Sequence, residues 1–360
     1  STFDTIRSSE RNIHLGKIFH MYQEEKLSVE LSANSLASHT FITGSTGSGK
    51  SNTIYQMLTE AHEYDIPFLV VEPAKGEYKH IFGNYKDVSV YSTNPNMAAL
   101  LKINPFSFPK GIHVLEHLDR LVEIFNVCWP MYAAMPAVLK SAIEKSYEDC
   151  GWNLTESCNE YSDSLYPQFS DVTRNIKQII DRSEYDSENK GAYKGSLLTR
   201  LQSLTDGLNG MIFADDEVPM EKLFDENVII DLSRIGSMET KSLLMGMIVL
   251  KLQEYRMTIG KINAPLNHIT VLEEAHNLLK RTSTEQVSES ANLTGKSVEM
   301  ISNAIAEMRT YGEGFIIADQ APGLLDMTAI RNTNTKIIMR LPDISDRELV
   351  GKAANLNEDQ

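Results

Sequence analysis

The stretch Phe41-Ile42-Thr43-Gly44-Ser45-Thr46-Gly47-Ser48-Gly49-Lys50-Ser51 decides the fold. Its last eight residues fill the pattern G-x-x-x-x-G-K-[ST]. Apolar and β-branched residues stand before it, and a helical pattern over 51–64 follows it. A strand, a glycine-rich turn and a helix in that order form a phosphate cradle. Glycines let the backbone turn its N–H groups inward around phosphate oxygens, and the helix points its positive end at the same anion. The pattern sends Lys50 to the β and γ phosphates and offers the Ser51 hydroxyl to Mg²⁺. Gly44, Ser45, Thr46, Gly47, Ser48, Gly49, Lys50, Ser51 and Asn52 are therefore the expected nucleotide-binding set, with ATP and Mg²⁺ as ligands.

Working outward, short apolar runs at 41–43, 68–71, 88–91, 228–231, 269–272, 315–318 and 336–341 read as strands. Near-continuous apolar runs of this length suit strands buried on both faces of a parallel sheet. Helical spacing falls between them at 51–64, 239–257 and 298–308, which predicts an α/β fold with a mostly parallel sheet. From about 111 to 224 the strand signals thin out, and helices are expected at 115–125, 136–147, 172–180 and 196–204. This divides the chain into an N-terminal β segment at 1–32, a first core part at 33–110, a helical insertion at 111–224 and a second core part at 225–360. Strands are expected at 13–19 and 27–31. Ser345–Glu348 has the form of a capping box opening a last helix. The chain begins with Ser1 rather than Met and stops just after that helix signal. The expectation is a piece of a longer protein.

A phosphate cradle that hydrolyses ATP needs an acid to organise Mg²⁺ and a base to polarise water. The run Ile269-Thr270-Val271-Leu272-Glu273-Glu274-Ala275-His276 is a buried strand ending in two carboxylates. Strand alternation sends them apart, with Glu273 as the Mg²⁺ partner and Glu274 as the base. His276 fits a helix surface, a supporting contact or a sensor equally well. Glu72 and Gln320 each follow a strand, where parallel sheets bind ligands; Gln320 suits a γ-phosphate sensor or a holder of the water. Arg309 has two readings: an ion pair with Glu307 or Glu313, or an arginine finger reaching a neighbour's nucleotide.

The net charge of −15 argues against a uniformly basic nucleic-acid binder. Any DNA contact must be gathered locally, and Lys280, Arg281 and Lys296 flank a polar stretch at 282–294 that is either a channel-facing loop or an ordinary surface loop. The composition is 42 % hydrophobic and 23 % charged, ordinary for a globular protein with a real core. No apolar run reaches the length of a membrane span. Cys128, Cys150 and Cys158 fit neither a disulfide framework nor a zinc knuckle, which leaves thiols in a reducing cytoplasm.

Taken in order, these pieces resemble the HerA branch of the HerA/FtsK ATPases. The resemblance rests on residues 36–53, Glu72-Pro73 through Glu77-Tyr78, Ile229-Ile230-Asp231-Leu232-Ser233, Leu272-Glu273-Glu274-Ala275-His276, and Ala306 to Gly312 running into Asp319-Gln320. It implies a RecA-like core in a hexameric ring around double-stranded DNA, with a nuclease (NurA-like) or an anti-phage defence effector as partner. It places Lys50, Ser51, Glu72, Glu274 and Gln320 in one site and sends Arg309 into the adjacent subunit's site. It also makes 1–32 the remnant of an N-terminal β-barrel. The chain departs from the family at Ser38, where relatives often carry Arg, at Glu72, where Asp is common, and after Gln320, where a basic residue is often found. Two other readings stay open: a nucleotide-dependent scaffold ring for an effector, and a secretion or conjugation ATPase.

Overall fold

The structure, a computed structural model, describes residues 11–282 and 289–357. The strands are β1 (Asn12–His20), β2 (Gln23–Ser32), β3 (Thr40–Thr43), β4 (Phe68–Glu72), β5 (Val88–Ser92), β6 (Ala99–Leu100), β7 (Trp152–Asn153), β8 (Cys158–Asn159), β9 (Asn227–Asp231), β10 (His268–Leu272), β11 (Glu313–Asp319) and β12 (Thr335–Ile338). The helices are α1 (Lys50–Glu63), α2 (Tyr78–Phe82), α3 (Val114–Cys128), α4 (Met135–Asp149), α5 (Phe169–Arg182), α6 (Ser187–Thr205), α7 (Gly207–Ile212), α8 (Met220–Phe224), α9 (Met238–Ile259), α10 (Glu289–Glu307), α11 (Met327–Arg331) and α12 (Ile344–Ala353).

Eight strands form one sheet in the order β12-β3-β11-β10-β4-β9-β5-β6, and all its pairings are parallel. Parallel strands need crossover connections, so helices cover both faces. Alternation along the strands splits the core in two. Ile42, Val70, Ile269 and Ile316 pack on one face with Ile54, Met57 and Leu58 of α1. Phe41, Leu69, Leu272 and Phe315 pack on the other with Leu121 and Phe125 of α3 and Leu244 and Ile248 of α9. The observed sheet and its crossover helices are those of a RecA-like α/β core. The chain order separates β3 from β10 and brings β11, which follows both in sequence, between them. The carboxyl end of β11 therefore falls between the glycine loop and the acidic strand end.

Residues 111–224 are mainly helical, with one small hairpin, β7–β8. Helices α3 to α6 share the apolar cluster of the sheet face, so this stretch is packed onto the core rather than hung from it. Buried ionic contacts reinforce the seam. His117 bonds Glu254 at 2.9 Å, Arg120 reaches the same carboxylate at 3.2 Å, and Lys251 bonds Ser107 and Glu217.

β1 and β2 pair only with each other among the described residues, as an antiparallel hairpin. Its turn residues Met21 and Tyr22 both have positive φ, the geometry of a tight hairpin turn. The start of the expected N-terminal segment, 1–10, lies outside the described residues, as do 283–288 of the expected 282–294 loop. The last helix corrects the capping expectation. α12 begins at Ile344 with Asp343 as its cap, whose side chain accepts from the Asp346 N–H. Ser345 is already inside the helix.

Candidate nucleotide site

The glycine loop runs from the end of β3 into α1. Gly47 and Gly49 adopt φ of 77° and 101°, a region where a side chain is strained, and Gly49 is the cap from which α1 starts. The Ser45 N–H bonds the Arg340 carbonyl beyond β12 at 3.0 Å, and the Ser48 N–H bonds the Ser45 carbonyl at 3.1 Å. Gly44 sits where an added Cβ would come within 2.4 Å of Ser48 Oγ. The first N–H groups of α1 have no intrahelical partner, which suits this helix start to an anion. Lys50 is buried and donates to Glu273 Oε2 at 3.1 Å.

Glu273 and Glu274 diverge as expected, by a different cause. β10 ends at Leu272, and Glu274 takes a left-handed conformation with φ 45° and ψ 51°. That turn, not strand alternation, separates the two carboxylates. Glu273 is buried between Lys50 and Tyr78, whose hydroxyl donates to Oε1 at 2.6 Å. Glu274 is half-buried, and its Oε1 accepts from Gln320 Nε2 at 2.6 Å. The Gln320 carbonyl in turn accepts from the Thr46 hydroxyl at 2.8 Å. His276 is half-buried and bound to Asp319, with its backbone N–H at 2.9 Å and its Nδ1 at 2.8 Å from Asp319 Oδ2, which gives it a supporting contact. Asp319 raises the affinity of the ring for its proton above the ordinary histidine value, against the opposing effect of burial.

Glu72 ends β4 beside this cluster. Its carboxylate accepts the N–H groups of Glu77 at 2.7 Å and Tyr78 at 3.3 Å, which fold the loop back across the strand ends. Lys75 and Gly76 supply the left-handed turn, with φ of 67° and 70°. Burial pushes Glu72 up to about 7; the two N–H groups oppose the rise, while Asp231 and Glu273 add to it. Glu72 stands at the strand end where the sequence expects it, with a loop-holding contact that its position does not signal, and nothing local in the sequence marks Tyr78.

Ser51, Glu72, Glu273 and Glu274 line one narrow cleft of about 10 Å³, room for a single water-sized centre. A hydroxyl and carboxylates are the oxygen donors Mg²⁺ prefers, so the residues lining this cleft fit that ion. A larger cleft of about 1020 Å³ opens on the β12 side of the loop, lined by Met339, Arg340, Leu341 and Val350 among others.

Other expected residues lie elsewhere. Arg309 is exposed in a 3₁₀ turn just before β11. The seven-residue length of that strand puts it about 20 Å from the glycine loop of its own chain. The ion pair with Glu313 is not formed: Glu313 is buried and held by Arg256 at 2.9 Å, His268 at 2.7 Å and Thr270 at 2.7 Å. Arg309 makes no ion pair among the described residues. Its backbone is fixed, because His39 bonds the end of α10 through the Ala306 carbonyl at 3.3 Å and accepts the Phe315 N–H at 2.9 Å. Lys280, Arg281 and Lys296 are exposed. A backbone bond ties Arg281 to Leu324 at 2.7 Å, so the first two cations sit beside the loop after Gln320, and Lys296 stands on α10.

A RecA-like parallel sheet carrying a glycine loop, a buried Lys–Glu pair and a second carboxylate at adjacent strand ends defines a P-loop ATPase. The family model described as "Helicase HerA, central domain" matches residues 13–252. The chain belongs to that family.

Among curated relatives, it is 24 % identical to the DNA double-strand break repair helicase HerA of Sulfurisphaera tokodaii, over 98 % of this chain and 64 % of the relative. It is 25 % identical to a probable helicase of Methanocaldococcus jannaschii, over 92 % of this chain and 62 % of the relative. The chain thus spans less than two thirds of the length of these relatives. Among solved structures, VirB4 of Thermoanaerobacter pseudethanolicus superimposes with a TM-score of 0.69 at 17 % identity, covering 98 % of this chain and 90 % of that one. The plasmid coupling protein TrwB in complex with ADP and Mg²⁺ gives 0.53 at 10 % identity, over 90 % and 71 %. Both share the fold. Among the described residues, no helix is long and apolar enough to cross a membrane.

Proposed function

We propose that this chain is the motor part of a ring-forming, hexameric ATPase that moves double-stranded DNA, working in the cytoplasm beside a nuclease (NurA-like) or defence effector. The observation that carries the reading is Arg309. It is exposed, unpaired among the described residues, backbone-fixed and at the far end of the sheet from its own glycine loop. A cation so placed serves no site in its own chain and suits the site of a neighbour.

In that site the loop N–H groups and Lys50 bind the phosphates of ATP, and the cleft by Met339 and Leu341 takes the base. Ser51 and Glu273 would hold Mg²⁺, which would supply positive charge to offset the charge that builds up on the phosphates. Lys50 leaves Glu273 for the phosphate. Glu274 accepts the proton of the attacking water, Gln320 orients that water and reads the γ-phosphate, and the neighbour's Arg309 stabilises the transition-state charge. Glu72 and Tyr78 hold Glu273 and the loop above it.

The test is ATP turnover with and without duplex DNA. We expect stimulation by DNA. Replacing Lys280, Arg281 and Lys296 together by Ala should weaken DNA binding and lower its salt slope by about 0.9 for each phosphate no longer neutralised. Turnover indifferent to DNA, with assembly still driven by nucleotide, would point to the scaffold reading, which the charge of −15 favours. The fold shared with VirB4 and TrwB favours a conjugation ATPase, and single-stranded DNA replacing duplex as the better activator would support that alternative.

A further inference from the structure

Resting on the ATPase reading, we infer that Thr46 is a positioning residue that keeps the catalytic carboxylate capped until a triphosphate arrives. The relay runs across three elements. Thr46 Oγ1 donates to Gln320 Oε1 at 2.8 Å, and Gln320 Nε2 donates to Glu274 Oε1 at 2.6 Å. The other oxygen of Glu274 faces His276 Nδ1 at 3.7 Å. The amide occupies one of the carboxylate's acceptor sites and stabilises its charged form, so while that bond lasts Glu274 is a weaker acceptor of a proton from water. The sheet order makes the relay possible, because β11 lies between β3 and β10, so Gln320 spans from the glycine loop to the acidic strand end.

An amide has one acceptor end and one donor end. With its oxygen held by Thr46, the Gln320 nitrogen is turned toward Glu274. If the Thr46 hydroxyl instead donates to a γ-phosphate oxygen, the amide loses that hold and Glu274 is uncapped. A diphosphate lacks that oxygen and leaves the relay closed. Thr46 acts on the base through Gln320 and touches neither the proton nor the water.

The test is carbodiimide modification of Glu274 in the nucleotide-free full chain, followed by peptide mass spectrometry. The reagent must bond a carboxyl oxygen, so the cap slows it. Thr46→Val and Gln320→Leu should each label Glu274 several-fold faster than the parent, Thr46→Ser should label at the parent rate, and the double variant no faster than Gln320→Leu alone. Added ADP should leave the parent slow. Parent-rate labelling in Thr46→Val, or effects of the two variants that multiply, would overturn the relay. ADP affinity, measured in parallel, checks that each loop still folds. A parent chain that hydrolyses no ATP would sink the ATPase reading while leaving the labelling result to decide the relay.

Discussion

At the scale of single residues, the proposed function assigns the chemistry to Glu274 and leaves Glu273 the architecture. Glu273 is buried, with both oxygens committed to Lys50 and Tyr78. Glu274 is more open, hydrogen-bonded by the Gln320 side chain at 2.6 Å and facing His276 at 3.7 Å. Glu274→Gln should therefore keep nucleotide binding and lower turnover by about 10²–10⁴, measured as steady-state phosphate release beside binding of a fluorescent nucleotide. Loss of binding with the turnover would mean that Glu274 holds the nucleotide instead. The glycine loop and the acidic pair were legible because each is a contiguous run with a local signal. Tyr78 and the role of Thr46 were not. Their partners lie 195 and 274 positions away in the chain, and spacing carries no information about which strand will be inserted between two others. The left-handed turn at Glu274 was equally hidden, since a glutamate gives no sign that it will adopt a conformation common only for glycine.

At the scale of elements, every expected strand and helix of the core forms, because apolar runs and three-to-four spacing are written into the sequence directly. The two-residue β6, β7 and β8 fall below any pattern length. The cap of α12 shifted from Ser345 to Asp343 because Asp and Ser are near-equal caps, and the start of the apolar face decides between them.

The amino-terminal ends of the strands are tied by Glu313, which bonds α9 through Arg256 and β10 through His268 and Thr270. Burial alone would push this carboxyl up, but His268, Arg256 and Thr270 outweigh it and hold it at about 2, below its ordinary 4.5. A lowered value means the contribution is present above about pH 4.5 and is lost as pH falls toward 2. Glu313→Gln should destabilise the fold near neutrality by less than the about 3–5 kcal/mol of a fully unpaired buried charge, because Arg256 loses Glu313 but keeps Asp225 at 2.8 Å. It should also flatten the acid side of a stability-versus-pH curve from denaturant titrations. An unchanged midpoint would contradict the assignment of this cluster as the tie beneath the sheet.

At the scale of the whole molecule, the described chain holds a phosphate loop at one end of its sheet and a fixed, unpaired arginine at the other. On the proposed reading, such a molecule supplies half of each of two sites. On that reading the overall acidity requires positive charge to be gathered locally, and the exposed Lys280, Arg281 and Lys296 are its candidates. Sequence alone identified Arg309 but left its intramolecular pairing open; the capture of Glu313 by Arg256 and His268 removed one of those pairings. The most direct measurement is ATP turnover of mixed assemblies. Lys50→Ala and Arg309→Ala subunits should each be inactive alone, the arginine variant slowed by about 10³–10⁵. When the two are mixed and native mass spectrometry shows shared rings, activity should return, because an intact Arg309 then meets an intact glycine loop across the interface. Mixed rings with no recovered turnover would contradict a site completed by a neighbour.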